Sequence, residues 1–319
     1  MHHFLKAISL STIFFLTAMP HPAQGWGFFA HQRINRLAVF SLPPEMLVLY
    51  KPNIEYLVAH ATDADKRRYI LAEEGPRHYI DIDHYGPPPF VELPRSWQEA
   101  VLRYTADTLN RYGILPWYIG QMVHRLTQAF LQGDADRIMK LSADLGHYTG
   151  DAHVPLHACS NHNGQLTGQH GIHGLWESRI PELMADKTFR YWTGKAVYIA
   201  DVSACTWQIV QESAAAADTV LREEKNLSGR YPSGRKFAYE KRNGKLVRNY
   251  ATAYTKAYHS ILGDMVERRM VAAIRTTANF WYTAWVNAGM PALDKLHKGK
   301  ITEDAIKATA TQMIGRQEG

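Results

Sequence analysis

The chain has 319 residues, a formal net charge of +6 and 46% hydrophobic residues, which is enough apolar material for a sizeable core and excludes disorder as a description of the whole. Two cysteines exclude a disulfide framework. The charge is local: residues 225–248 hold eight Lys/Arg and one acid, and taking away that +7 and Lys6 leaves −2, so the protein is not uniformly basic.

Residues 1–25 read as a cleavable secretory signal. Lys6 closes a short positive start, Ala7 to Met19 is mostly apolar, Pro20 and Pro22 break the run, and Ala23-Gln24-Gly25 supplies small residues for cleavage before Trp26. Export to a periplasm or the medium is therefore expected, and a membrane span is not, because no later segment reaches about eighteen consecutive apolar residues. Cys159 and Cys205 can pair or remain apart.

The remaining chain, 26–319, reads as one all-α domain of helical-bundle type, since alternating strand patterns are scarce. Trp117, Met122, Leu126 and Phe130 mark one apolar helix face. After a break at Gly133-Asp134, Ile138, Leu141, Leu145 and Tyr148 mark the next. Further helices are expected from Ala204 to Leu221 and from Tyr250 to Val286, whose stripe Phe280, Trp281, Tyr282 and Trp285 is expected to be core. The basic segment 225–248 contains Pro, Gly and Ser and is expected to be a loop.

Sixteen histidines are many, and six lie between 147 and 173. His147 and Asp151 are at i, i+4, as are His173 and Glu177, so on a helix each pair shares a face. Imidazole with carboxylate suits Zn²⁺. The pairs alone are close to chance; the density is the stronger signal, because clustered imidazoles would repel if protonated. A polar helix surface is the alternative. Trp26, if cleavage frees its α-amine, is a further donor near His31, and Asp65 and His78 sit in polar segments between apolar ones.

The motifs WGFFAH, TDAD, RHYID, HYTGDAHVPLH and HGLWE, in that order from Trp26 to Glu177, resemble the zinc-dependent phospholipase C and single-strand nuclease superfamily. The resemblance implies an exported, all-helical hydrolase holding three zinc ions. Asp65, His78, His147 and Asp151 would hold one, and His157, His173 and Glu177 a second. The amine and carbonyl of Trp26, with His31, would hold a third, with Asp151 bridging. His153 falls outside this ligand pattern and is expected behind the ligands or at the surface, with its four-residue spacing to His157 keeping it a minor candidate ligand. Asp63 rivals Asp65, which is favoured because the family ligand closes the TDAD motif.

Three carboxylates against three Zn²⁺ would leave the pocket at about +3, which attracts a phosphodiester anion. Paired metals activate water and clamp attacking and leaving oxygens, so no serine or cysteine nucleophile is required. Asp65 is the expected group to orient or deprotonate that water. Arg67, Arg68 and Arg77 are expected either on phosphate or in ion pairs. Within the resemblance, Glu177 where the nuclease branch usually has Asp, a short His157–His173 gap like that of the bacterial phospholipases, and the lack of the Gly-Gly-Asn element that precedes the last His in many nucleases imply a phospholipase C-like substrate. The five-residue step from Trp26 to His31 matches the nucleases and implies the alternative, a single-strand nuclease or 3′-nucleotidase. A zinc-binding protein without activity is the non-enzyme alternative. Segment 225–248 suits peripheral contact with an anionic membrane or a polynucleotide, and no obligate protein partner is expected.

Overall fold

The computed structural model describes residues 27–242 and 244–296. The expected signal, 1–25, and Trp26 lie outside the described residues. The all-α expectation is met. Short helices α1 (Phe28–Val39), α2 (Pro44–Tyr50), α3 (Ile54–Ala59) and α4 (Asp63–Arg67) lead into α5 (Trp97–Tyr104) and α6 (Ala106–Tyr112) through two 3₁₀ turns. The long pair α7 (Leu115–Gln132) and α8 (Ala135–Ala152) follows. Then α9 (Ile172–Gly174) runs through a π-helical turn, Leu175–Arg179, into α10 (Ile180–Thr188). Helix α11 (Val202–Arg230), a hairpin of β1 (Phe237–Arg242) and β2 (Lys245–Tyr250), α12 (Thr252–Leu262) and α13 (Met265–Asn287) complete the order.

The break between α7 and α8 has the chemistry expected of it. Gly133 takes the left-handed conformation that ends α7, φ 66°, and the Asp134 carboxylate caps α8 by accepting from Arg137 N–H at 3.0 Å. Helix α8 is the centre of the molecule: every residue from Ser142 to Ala152 is buried, with α1, α7 and α13 packed around it. Phe280, Trp281 and Trp285 are buried in the core as expected, Tyr282 of the same stripe is only half-buried against it, and Trp281 donates its indole N–H to the Ser142 carbonyl at 3.0 Å. One apolar cluster draws buried side chains from α1 through α13. Among the described residues no helix is long and apolar enough to cross a membrane. Cys159 and Cys205 are separate thiols.

The basic segment departs from the expected loop. Its first residues are the last turns of α11, because Leu227 is buried there and Glu224, one turn earlier, is buried against Tyr254 and Lys236. The rest is a 3₁₀ turn, Ser233–Arg235, and the antiparallel hairpin.

Helix α1 approaches α8 closely only because α8 carries glycine at the crossing. A Cβ on Gly146 would lie 1.8 Å from Asn35 Oδ1, and one on Gly150 would lie 3.1 Å from His31 Nδ1. Asn35 bridges the helices by donating to the carbonyls of Leu57 and Ala143. By contrast, a Cβ on Gly120 of α7 would meet nothing within 4 Å. Gly120→Ala is expected to stabilise by about 0.5–1 kcal/mol through helix propensity. Gly146→Ala, despite the same propensity gain, is expected to destabilise by about 1–3 kcal/mol through overpacking. Thermal unfolding of the two variants checks this; equal, raised Tm values would contradict the close crossing.

Candidate metal centre

Eight side chains from separate segments converge beside α8. Helix α1 supplies His31 and α4 supplies Asp65. The 3₁₀ turn Ala72–His78 supplies His78, and α8 supplies His147 and Asp151 one turn apart. His157 ends a 3₁₀ turn that begins at Pro155, His173 lies on α9, and Glu177 lies in the π-helical turn. All eight are buried, none more than 5% exposed.

They fall into three groups whose potential ligand atoms lie within 4.8 Å of one another: His31, Asp65 and His147; His78, His147 and Asp151; His157, His173 and Glu177. Each could hold a metal ion. Asp151 lies between them. Its Oδ2 is 2.9 Å from His78 Nδ1 and 3.2 Å from His147 Nε2. Its Oδ1 is 3.4 Å from His31 Nε2 and 3.9 Å from His157 Nδ1. In the outer group His173 Nε2 and His157 Nε2 lie 2.8 and 3.5 Å from Glu177 Oε2.

The donor set fits divalent cations because most of its polar atoms have no partner in the protein. Both nitrogens of His31 and His173, both oxygens of Asp65 and Glu177, Asp151 Oδ1 and His157 Nε2 are buried without a hydrogen bond. The short His173–Glu177 contact lacks hydrogen-bond geometry, so proximity there is not satisfaction. Burying that many orphaned groups is unfavourable unless something else fills their valences.

The shell behind them fixes ring orientation. His147 donates Nδ1–H to the Ala61 carbonyl at 2.9 Å, and His157 donates Nδ1–H to the His78 carbonyl at 2.5 Å, which turns each Nε2 towards the cluster. Glu74 is fully buried behind His78, where it accepts from Tyr148 and from Arg77 at 2.6 Å. Arg67 sits 3.4 Å from Glu74 and 3.0 Å from Asp144. Arg67 and Arg77 are thus ion-pair residues, while Arg68 Nη1 is 3.6 Å from Asp65 Oδ1. Glu74 and Asp144 are missed by sequence reasoning, and Tyr148 is read there only as part of an apolar helix face, whereas its hydroxyl joins Glu74 and Arg67. Glu74 carried a usable signal, since it precedes His78 by the same four-residue step as the two pairs singled out.

Asp63 stays apart from the cluster, bonded to His60 at 2.5 Å and Lys66 at 2.7 Å, whereas its rival Asp65 points in. His153 is buried rather than at the surface. Its Nδ1 donates to the Thr149 carbonyl at 2.8 Å and Arg269 donates to its own carbonyl, so it supports the helix rather than joining a group. Burial and the neighbouring Arg269 charge lower its pKa to about 3.

Without an ion, charge is unevenly held. Burial opposes protonation of His147, yet the Asp151 and Asp65 carboxylates outweigh it and raise the pKa to about 9. Burial raises Glu177 to about 8, and burial lowers His31 and His173 to about 4 each. At neutral pH the ion-free cluster therefore holds a proton on His147 and one on Glu177.

No protein-family model matches this chain, and no curated protein matches it. Among solved structures it is similar to the crystal structure of Clostridium perfringens alpha-toxin from an avian strain, at 12% identity and a TM-score of 0.48. The likeness covers 84% of this chain and 66% of the toxin's. At that degree it adds nothing to the reading of the site, which stands on its own geometry.

Cation binding should expel both protons. Loading the ion-free protein with Zn²⁺ at pH 7 is expected to release about two protons per chain, falling towards zero above pH 9. Calorimetry in buffers of different ionisation enthalpy measures this; pH-independent release would contradict the charge assignment.

Proposed function

We propose that the protein is an exported zinc-dependent phosphoric ester hydrolase that cleaves phosphodiesters in the manner of a phospholipase C. One observation carries this reading. Residues spread from His31 to Glu177, chosen for ligand chemistry in the sequence, meet as a buried cluster of orphaned donors. Under this reading Asp65, His78, His147 and Asp151 hold one zinc ion and His157, His173 and Glu177 a second. His31 holds a third with the amine and carbonyl of Trp26.

Support for the third set comes from the residue after Trp26. Gly27 N–H donates to the Glu177 carbonyl at 3.3 Å, and a Cβ on Gly27 would lie 2.4 Å from Ser178 Oγ, so Gly27 lies against the ligand-bearing π-helical turn. Cleavage before Trp26 would create the amine, which ties export to assembly of the site.

When bound, zinc supplies Lewis-acid stabilisation of the phosphoryl oxygens and activation of water. The chain's own part is orientation and proton handling. Asp65, with neither carboxylate oxygen hydrogen-bonded, orients the attacking water and accepts its proton. Water oxygen bonds to phosphorus in line with the departing alcohol, the phosphorus–alcohol bond breaks, and the alkoxide takes up a proton. Carbonyls of Ala61 and His78 hold the two imidazoles so that this geometry is ready before substrate arrives. The five-residue step from Trp26 to His31 favours a second reading, a single-strand nuclease or 3′-nucleotidase at the same site.

Protein beginning at Trp26 is expected to carry about three zinc ions and to hydrolyse phosphatidylcholine, with chelator abolishing turnover. Phosphatidylcholine, single-stranded DNA, RNA and 3′-nucleotides are assayed side by side. Preference for the polynucleotides would support the nuclease reading, and full zinc with no turnover the zinc-binding alternative. Asp65→Asn is expected to lower kcat by about 10²-fold or more. A Met added before Trp26 is expected to remove one zinc and most activity; unchanged zinc and activity in that variant would defeat the role of the amine.

A further inference from the structure

The hairpin is braced to the protein at its root and along one face, and presents the outer part of the other face to solvent. In the antiparallel register Phe237 opposes Tyr250, Tyr239 opposes Arg248 and Lys241 opposes Leu246, so these six side chains share one face. At the root of that face Tyr250 is buried and donates its hydroxyl to the His170 carbonyl at 3.2 Å. Further out, Tyr239 is 70% exposed and Leu246 72% exposed, with Lys241 and Arg248 exposed beside them. The opposite face is committed to the body: Glu240 pairs with Arg179, and Arg242 pairs with Glu182 at 2.6 Å.

We propose that this outer face docks the protein on an anionic lipid bilayer, with Tyr239 and Leu246 entering the headgroup boundary and Lys241 and Arg248 on the surrounding phosphates. Charge sorting supports it. The hairpin's one acid, Glu240, is turned to the other face and neutralised there, so the outer face carries cations without a competing carboxylate. Basic side chains near an anionic leaflet each contribute to attraction, and an aromatic beside an aliphatic side chain is what an interface takes up. Lysines alone would be expected on any exposed strand edge as protection against aggregation. A largely exposed leucine serves neither that purpose nor a polynucleotide, whose affinity comes from phosphate contacts and base stacking.

Docking rests on the phosphoesterase reading only for its purpose. The root is bonded at His170, three residues before His173, so a docked hairpin would hold the candidate metal centre at a fixed place relative to the bilayer.

The test is co-sedimentation of the purified full chain with phosphatidylcholine vesicles, with and without phosphatidylserine. Binding is expected to rise at least about tenfold with phosphatidylserine and to fall with salt. Lys241→Gln with Arg248→Gln is expected to lower it about tenfold. Tyr239→Ser with Leu246→Ser is expected to abolish the part that survives high salt. All variants should keep the wild-type Tm and the wild-type rate on soluble bis(p-nitrophenyl) phosphate. Equal binding to both vesicles, variants that sediment like the wild type, or salt-sensitive binding of single-stranded DNA without vesicle binding would overturn the proposal. Vesicle binding without any hydrolysis would defeat the phosphoesterase reading alone; hydrolysis without vesicle binding would defeat docking alone.

Discussion

Three carboxylates and five imidazoles are buried together beside the central helix, and the rest of the structure is arranged around holding them there. Isolated buried charges and orphaned polar atoms are strongly unfavourable. A fold that keeps Asp65, Asp151 and Glu177 nearly free of solvent therefore needs cations beside them. In the ion-free state protons fill part of that role, and metal ions would fill all of it.

That demand explains features that look merely structural in isolation. Helix α8 is buried all round from Ser142 to Ala152 because that stretch carries two of the ligand candidates and must be reached from several sides. Gly146 and Gly150 let α1 come close enough to bring His31 beside His147, whose rings stack at 3.9 Å. Backbone carbonyls take the outer nitrogens of His147 and His157. Behind His78, Glu74 is itself compensated by Arg67, Arg77 and Tyr148, so one buried acid is not exchanged for another unmet one.

The net charge of +6 divides along the same lines. The basic excess lies on the end of α11 and the hairpin, remote in sequence from the cluster, while the groups that could hold metal ions are aspartates, a glutamate and histidines. Counting side chains gives the first and omits any metal charge. A positive surface and a cation-hungry interior are separate devices, and the hairpin root at His170 is where they meet.

Helical class, the α7–α8 break and the pairs His147–Asp151 and His173–Glu177 were legible from local rules: three- and four-residue periodicity, a glycine followed by a capping aspartate, and imidazole and carboxylate at helical spacing. The full set of candidate ligands came only with the resemblance of the motifs to a known superfamily. The choice between Asp63 and Asp65 was not legible from spacing alone, because two residues apart on a short helix point different ways and only α8 defines which way is inward. Burial of His153, the Glu74 network and the division of 225–248 between helix and hairpin also required the assembled protein. Those outcomes are set by what lies across the gap from a side chain, over separations such as the 86 residues between His147 and Ala61. The sequence alone determined which donors were available; tertiary packing decided which of them would lose water together.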